Sequence, residues 1–360
     1  MIKAVTWLIT VLASLGLGGA AWAGPVEAGG PFTQAVCLSN LRLREKPDPA
    51  APQIGRMFRG QVVWVLAGNS RPEDPPGGPG QWLPVRIPGG PAGWASADYL
   101  SLGQPAAPLV PGRAWPTLTL LSRENFSSLA DLSTVGLAGH NKPNGVQYRL
   151  RSHRVPGSQA WVGPVVPPWL PRRVEPDLEL QILDPVPEGY LAFYRSGHSY
   201  GGDDRYLARL YGSDGQLGWE VDLDRFLPDG QEREVQDIRY SPPLLLFNAA
   251  CTSYCEQVKC RCSELVAIDP ALKQKVWQTP HLISNNIFIA ADGWIFCGYG
   301  FTAEPDFLYL VERNSGLVGP AQPLDSAPEY LELQDGILAV VTSRSIYRFK
   351  VGLAARTPGP

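Results

Sequence analysis

Charge is scarce in this chain, and so are histidine and methionine: 18% of residues are charged, with four histidines and two methionines. No stretch interleaves aromatics with clustered Lys and Arg, and the formal net charge is -3, so the footprint of a nucleic-acid binder is missing. There is no Ser nucleophile elbow, no His-Glu zinc helix and no phosphate-cradling Gly loop. The histidines are scattered. The sequence therefore assigns no catalytic residue, no cofactor and no metal ligand, and the chain reads as a binding protein rather than an enzyme. After the first residues no run is apolar enough to cross a bilayer, so no membrane insertion is expected of the mature chain.

That first run reads as a targeting signal. Lys3 provides a short positive region, residues 4–20 are apolar, and Ala21-Trp22-Ala23 supplies the small-x-small cleavage pattern before Gly24. Gly16, Gly18 and Gly19 interrupt the run, which falls short of about 20 solidly apolar residues and argues against an anchor. No cysteine near the cut offers a lipid acceptor. A signal peptide over 1–23 and a periplasmic or secreted protein are the expectation.

What is abundant is glycine (38), proline (36) and tryptophan (11), a mixture that suits many short strands joined by turns. The fold class predicted is all-β: a small barrel, then a propeller of about five blades. Residues 35–38, 61–67, 82–87 and 93–96 are short β-type runs, and five strands in so short a span close into a barrel rather than leave exposed edges. The boundaries read as 30–103 for this unit, 104–116 for a Pro-rich linker, 117–352 for the second unit and 353–360 for a tail.

Leu41-Arg42-Leu43-Arg44-Glu45-Lys46-Pro47 opens the first unit. Ile54, Gly55 and Gly60 precede Val62-Val63-Trp64-Val65-Leu66, and Trp82-Leu83-Pro84-Val85-Arg86, Gly93-Trp94 and Tyr99-Leu100 follow. In this order the segments resemble the bacterial SH3 domain. Arg42 stands where that family often has Asn, and the Pro/Gly loop before Trp82 is unusually long. The resemblance implies binding to peptidoglycan or another wall glycopeptide, with Arg42, Arg44, Trp82, Trp94 and Tyr99 as candidate ligand residues. Aromatics offer rigid contact area with polar edges, but Trp82 and Trp94 filling the barrel core is an equally good reading of the sequence.

In the second unit, apolar segments flank Asp292-Gly293 and again Asp335-Gly336, a strong hairpin signal because the turn needs positive φ. Residues 206–219, 265–277 and 308–318 align as second strand pairs. The unit recurs near Val135, Tyr190, Leu244, Trp294 and Ile337, at roughly 45–55-residue intervals typical of blades. It resembles the quinoprotein-type propeller repeat. Residues 117–121 are expected to complete the last unit, which otherwise lacks its outer strand. The loops between second and third strands and between blades share one face, where Asn285, Asn286, Tyr299, Phe301, Glu329 and Tyr330 are expected to form a site for a protein or glycan partner. A glycan-cleaving carboxylate pair, for example Glu304 with Asp237, is the enzymatic alternative. An envelope assembly or sensor scaffold with a structural barrel is the other.

Of six cysteines, Cys251, Cys255, Cys260 and Cys262 share one short loop. Four thiolates could hold zinc, but zinc ligands usually come as two separated close pairs, and an oxidising compartment favours disulfides. Strands over 244–250 and 264–268 would bring the loop ends together, giving nested pairs Cys251–Cys262 and Cys255–Cys260. Cys37 and Cys297 lie in apolar strands of different units, either as buried thiols or as an interdomain bridge.

Overall fold

The computed structural model describes residues 32–66, 80–87, 91–106, 115–125, 166–196, 204–227, 233–252, 262–301 and 304–352. The expected signal over 1–23, the repeat near Val135 and the pair Cys255–Cys260 lie outside them. Among the described residues every long element is a strand, and no helix is long and apolar enough to cross a membrane.

The first unit has seven strands where the sequence reading had five: β1 (Phe32–Cys37), β2 (Leu41–Arg44), β3 (Gln53–Met57), β4 (Val62–Leu66), β5 (Trp82–Arg86), β6 (Ala92–Ser96) and β7 (Leu100–Ala106). They form one sheet in the order β3-β2-β6-β5-β4-β1-β7. The missed pair, β2 and β3, is short, and its buried side chains are Leu43 and Met57 alone. Alternation sends Leu43, Val63, Val65, Leu83, Val85 and Ala95 into the barrel core with Ala35 and Cys37. Closure depends on Gly93, where an added Cβ would lie 2.6 Å from the Arg44 carbonyl oxygen and 2.9 Å from Leu43 Cγ. Only glycine lets β6 approach β2 that closely.

The second unit consists of four-stranded antiparallel sheets that follow one another along the chain, a propeller arrangement. The first is β9 (Leu178–Val186), β10 (Gly189–Ser196), β11 (Tyr206–Gly212) and β12 (Leu217–Asp222). The second is β13 (Arg233–Ser241), β14 (Leu244–Cys251), β15 (Glu264–Asp269) and β16 (Gln274–Gln278). The third is β17 (Asn285–Ala291), β18 (Trp294–Tyr299), β19 (Phe307–Glu312) and β20 (Gln322–Pro323). In the fourth, β21 (Pro328–Gln334), β22 (Ile337–Thr342) and β23 (Ser345–Gly352) take their outer strand from β8 (Thr117–Asn125). The last sheet is thus completed by the segment expected to do so. Both Asp-Gly turns adopt the required conformation, with φ of 51° and 82° at Asp292-Gly293 and 51° and 73° at Asp335-Gly336. First strands lie side by side, β13 beside β17 and β17 beside β21, and apolar layers fill the space between neighbouring sheets.

The barrel is seated on the propeller. Val36 and Val62 point out of the barrel and are buried in the layer that holds Leu246, Ile295, Phe307 and Tyr309. The Gln34 amide donates to the Val318 carbonyl and accepts from the Val318 N–H, both at 3.0 Å. It acts as a one-residue strand along the sheet whose own outer strand, β20, has only two residues. Tyr309 donates its hydroxyl to the Gly60 carbonyl at 2.6 Å. Arg59 stands 3.8 Å from Glu304. Cys37 and Cys297 are both buried and unbridged, which decides against the interdomain disulfide, and burial pushes the Cys37 thiol up to about 12.

Candidate functional site

Strand alternation settles the place of the barrel tryptophans. Leu83, Val85 and Ala95 face inward, so Trp82, Pro84, Arg86 and Trp94 face outward, and neither Trp82 nor Trp94 belongs to the barrel core. The core-filling reading is excluded. Trp94 lies between Pro84 of β5 and Arg44 of β2 as its cross-strand partners, while Arg86 opposes Trp64. Arg42 and Arg44 project to the same side of β2, with Leu43 buried between them. One Arg44 nitrogen donates to the Ala51 carbonyl at 2.7 Å, which fixes the side chain beside Trp94. Tyr99 ends the short turn after β6 and is 49% exposed. That turn is held by Asp98, which accepts from Gly80 N–H at 3.0 Å and from the Ser96 hydroxyl at 3.2 Å. The result is a half-buried aromatic strip flanked by guanidinium groups, on the outer side of β5 and β6 and separate from the Gln34, Val36 and Val62 residues of β1 and β4 that dock on the propeller.

At the propeller end, Asn285 and Asn286 open β17, Tyr299 ends β18, and Glu329 and Tyr330 lie near the start of β21, so antiparallel pairing places all of them at one end of the sheets. Their environments differ. Asn285 is buried and donates to the Gly300 carbonyl at 2.8 Å. Asn286 takes φ 59°; its N–H donates to Gln236 Oε1 and its amide to the Pro328 carbonyl at 3.3 Å. Tyr299 donates to Glu304 and belongs to the apolar layer shared with Val36 and Val62, against which Phe301 also packs. Burial first, then the Glu304 carboxylate, holds the Tyr299 hydroxyl far above its ordinary pKa. Tyr299 and Phe301 therefore support the barrel rather than line an open surface. Asn286, Glu329 and Tyr330 remain accessible, and desolvation raises the Glu329 pKa.

The carboxylates considered for glycan cleavage are engaged by the protein. Glu304 takes Tyr299 and Arg59. Asp237 is 0% exposed, accepts from Phe288 N–H at 2.9 Å and sits 3.6 Å from Arg239. Arg239 reaches Asp184 of the preceding sheet at 3.1 Å and the Phe288 carbonyl of the following one at 3.1 Å, so one buried guanidinium ties three sheets together. A second buried cluster joins Arg233 to Glu264 at 2.7 Å, with His281 Nδ1 2.6 Å from the same carboxylate. Desolvation lowers the Arg233 pKa. Sequence reasoning missed both clusters because the partners are far apart in the chain. The available signal was Glu264 opening the apolar strand Leu265 to Ile268, since Arg233 and Arg239 lie in a strand already rich in polar residues. Beside the second cluster, Cys251 and Cys262 are disulfide-bonded with a Cα separation of 5.1 Å, as expected.

A cavity of about 190 Å³ is lined by Glu175, Arg205, Asp222, Asp224, Arg225 and Lys273 among others. Asp224 accepts from Tyr206 N–H at 3.2 Å, and burial raises its pKa to about 6. Asp222 accepts from Asp224 N–H at 3.1 Å, so these two carboxylates stabilise their own turn.

Residues 39–101 match the family model of the bacterial SH3 domain, and the barrel is such a domain. No curated protein sequence matches the chain. Similar solved structures include a computationally designed protein, Ika8, at 11% identity and a TM-score of 0.32, covering 48% of this chain and 46% of that one. BamB from Moraxella catarrhalis aligns at 10% identity and a TM-score of 0.26, over 47% of this chain and 56% of that one. A chain from a crystal structure of the mitotic checkpoint complex aligns at 12% identity and a TM-score of 0.31, over 96% and 100%. The chain spans about half the length of the first two.

Proposed function

We propose that this is an exported cell-envelope binding protein whose SH3 domain holds peptidoglycan through the outward strip of Trp82, Pro84, Trp94 and Arg44, and that it acts by binding rather than catalysis. The carrying observation is the division of labour on the barrel surface. Gln34, Val36 and Val62 are occupied by the propeller, while Trp82 and Trp94 lie outside the barrel core and outside that docked layer. Half-buried aromatics that no core requires suit ligand contact. The propeller, which resembles the quinoprotein-type repeat, offers Asn286, Glu329 and Tyr330 to a second partner, a protein or glycan of the envelope. The signal at 1–23 would deliver the protein to the periplasm or beyond.

Co-sedimentation of the full chain with purified sacculi tests this reading. Wild-type protein is expected to pellet, and the Trp82→Ala/Trp94→Ala double variant to remain in solution while melting within a few degrees of wild type. Equal sedimentation of both would remove the strip from the account. The docked interface gives weight to a second reading, an envelope assembly scaffold on which the SH3 domain is a fixed structural wing. Absence of any wall affinity in the wild type would favour it.

A further inference from the structure

Arg42 and Arg56 are direct cross-strand partners on β2 and β3, and both are exposed. Like charges facing each other across a sheet are destabilising, with Cβ atoms only about 5 Å apart. Arg44 follows on the same side of β2, with one nitrogen committed to Ala51 and the rest of its fork free to bond elsewhere. Among the described residues no carboxylate pairs with any of the three. The nearby acidic groups are oriented otherwise: Asp48 accepts from Ala50 N–H in its own turn, Asp98 is held by Gly80 and Ser96, and Glu45 lies past the end of β2. Next to this cationic patch, across the β2–β6 contact, stands Trp94 with Pro84 as its neighbour.

A repulsive arginine pair maintained beside a flat apolar strip makes physical sense if an anion neutralises it in the working state. From this juxtaposition we infer that Arg42, Arg56 and Arg44 form a carboxylate-recognising subsite, taking the free carboxylates of peptidoglycan stem peptides while Trp94 and Pro84 cover the adjoining peptide backbone. The planar guanidinium fork matches a carboxylate in two parallel hydrogen bonds. The aromatic and proline neighbours select a peptide-borne anion over a bare phosphate chain. This assignment rests on the wall-binding reading above and adds the chemical group recognised.

The experiment compares binding of the full chain to native sacculi and to sacculi whose stem carboxylates have been converted to amides. Amidation should weaken wild-type binding about tenfold, the loss expected for about 1.4 kcal/mol of charge-assisted bonding. The Arg42→Gln/Arg56→Gln variant should bind native sacculi about tenfold more weakly, no longer discriminate native from amidated material, and melt no lower than wild type because the repulsion is relieved. Undiminished binding by wild type to amidated sacculi, or by the double variant to native sacculi, overturns the subsite. If binding is then lost with the tryptophan variant, the wall-binding reading survives without it. Binding that persists after amidation but disappears when phosphate-bearing polymers are stripped also overturns it, assigning the patch to phosphate. No binding of wild type to native sacculi removes both readings.

Discussion

Replacing Gln34 by alanine should loosen the SH3 domain from the propeller. Gln34 is 2% exposed, and its side chain satisfies both the N–H and the carbonyl of Val318. Alanine would leave two backbone groups of a covered strand edge without partners. Each such group costs about 1–3 kcal/mol when it stays dry. Water entering the space left by the amide recovers part of this, so about 2 kcal/mol of docking energy is at stake. The bonds are interdomain, so the loss falls on coupling rather than on either core. For a domain this small, about 2 kcal/mol lowers the melting temperature by roughly 10 °C. Calorimetry of the full chain should therefore show one coupled transition in the wild type. In Gln34→Ala an earlier transition should separate from it, about 10 °C lower, with an enthalpy suited to the small domain. Gln61→Ala, on the same barrel, is the control, since its carboxamide oxygen serves only the local N–H of Phe58 at 3.0 Å. An unchanged single transition in Gln34→Ala would refute the view that this side chain carries the interface.

Three further outcomes follow from the same structure. An isolated fragment spanning 30–103 would expose Val36 and Val62, so it should self-associate or melt early in analytical ultracentrifugation and thermal scans, and Val36→Thr/Val62→Thr should improve its behaviour. Reducing Cys251–Cys262, or replacing both by serine, should cost about 2–3 kcal/mol for a loop of this length, read by denaturant titration, while peptide mass mapping of unreduced protein should recover the two cysteines linked. Burial raises the Asp224 pKa from 3.8 to about 6, so the folded state holds this proton more tightly than the unfolded one. The stability it contributes is present below about pH 4 and is lost as pH rises through about 6. Asp224→Asn should flatten that part of the stability profile, and an unaltered slope would show that the carboxyl is solvated.

The elements legible from sequence are those whose signals are local. Asp292-Gly293 and Asp335-Gly336 announced their hairpins because few dipeptides tolerate two consecutive positive φ angles. The match of 117–121 to the missing outer strand followed from counting strands in each repeat. The loop closed by Cys251 and Cys262 followed from strand ends that antiparallel pairing must bring together. The domain interface was harder to read. Val62-Val63-Trp64-Val65-Leu66 is apolar on both faces, which is the mark of a strand covered on both sides, yet nothing local said that the second cover is the propeller. Gln34 gives no signal at all, since a polar residue at an outward strand position normally meets water. For the same reason Tyr299 and Phe301 read as an open loop pair, when a domain more than 200 residues away in the chain lies over them. The pairing of Arg42 with Arg56 depends on register, which the bulge between Leu43 and Arg44 in the β2–β3 pairing makes hard to count from sequence.

Hydrogen exchange of the full chain with and without soluble stem-peptide fragments of peptidoglycan tests the central claim most directly. Binding at the SH3 face predicts slowed exchange in β2, β5 and β6, around Arg42 to Arg44, Trp82 to Arg86 and Ala92 to Ser96, with the propeller end near Asn286 and Glu329 unchanged. Slowing confined to that propeller end, or no slowing at ligand concentrations that saturate sacculus binding, would contradict it.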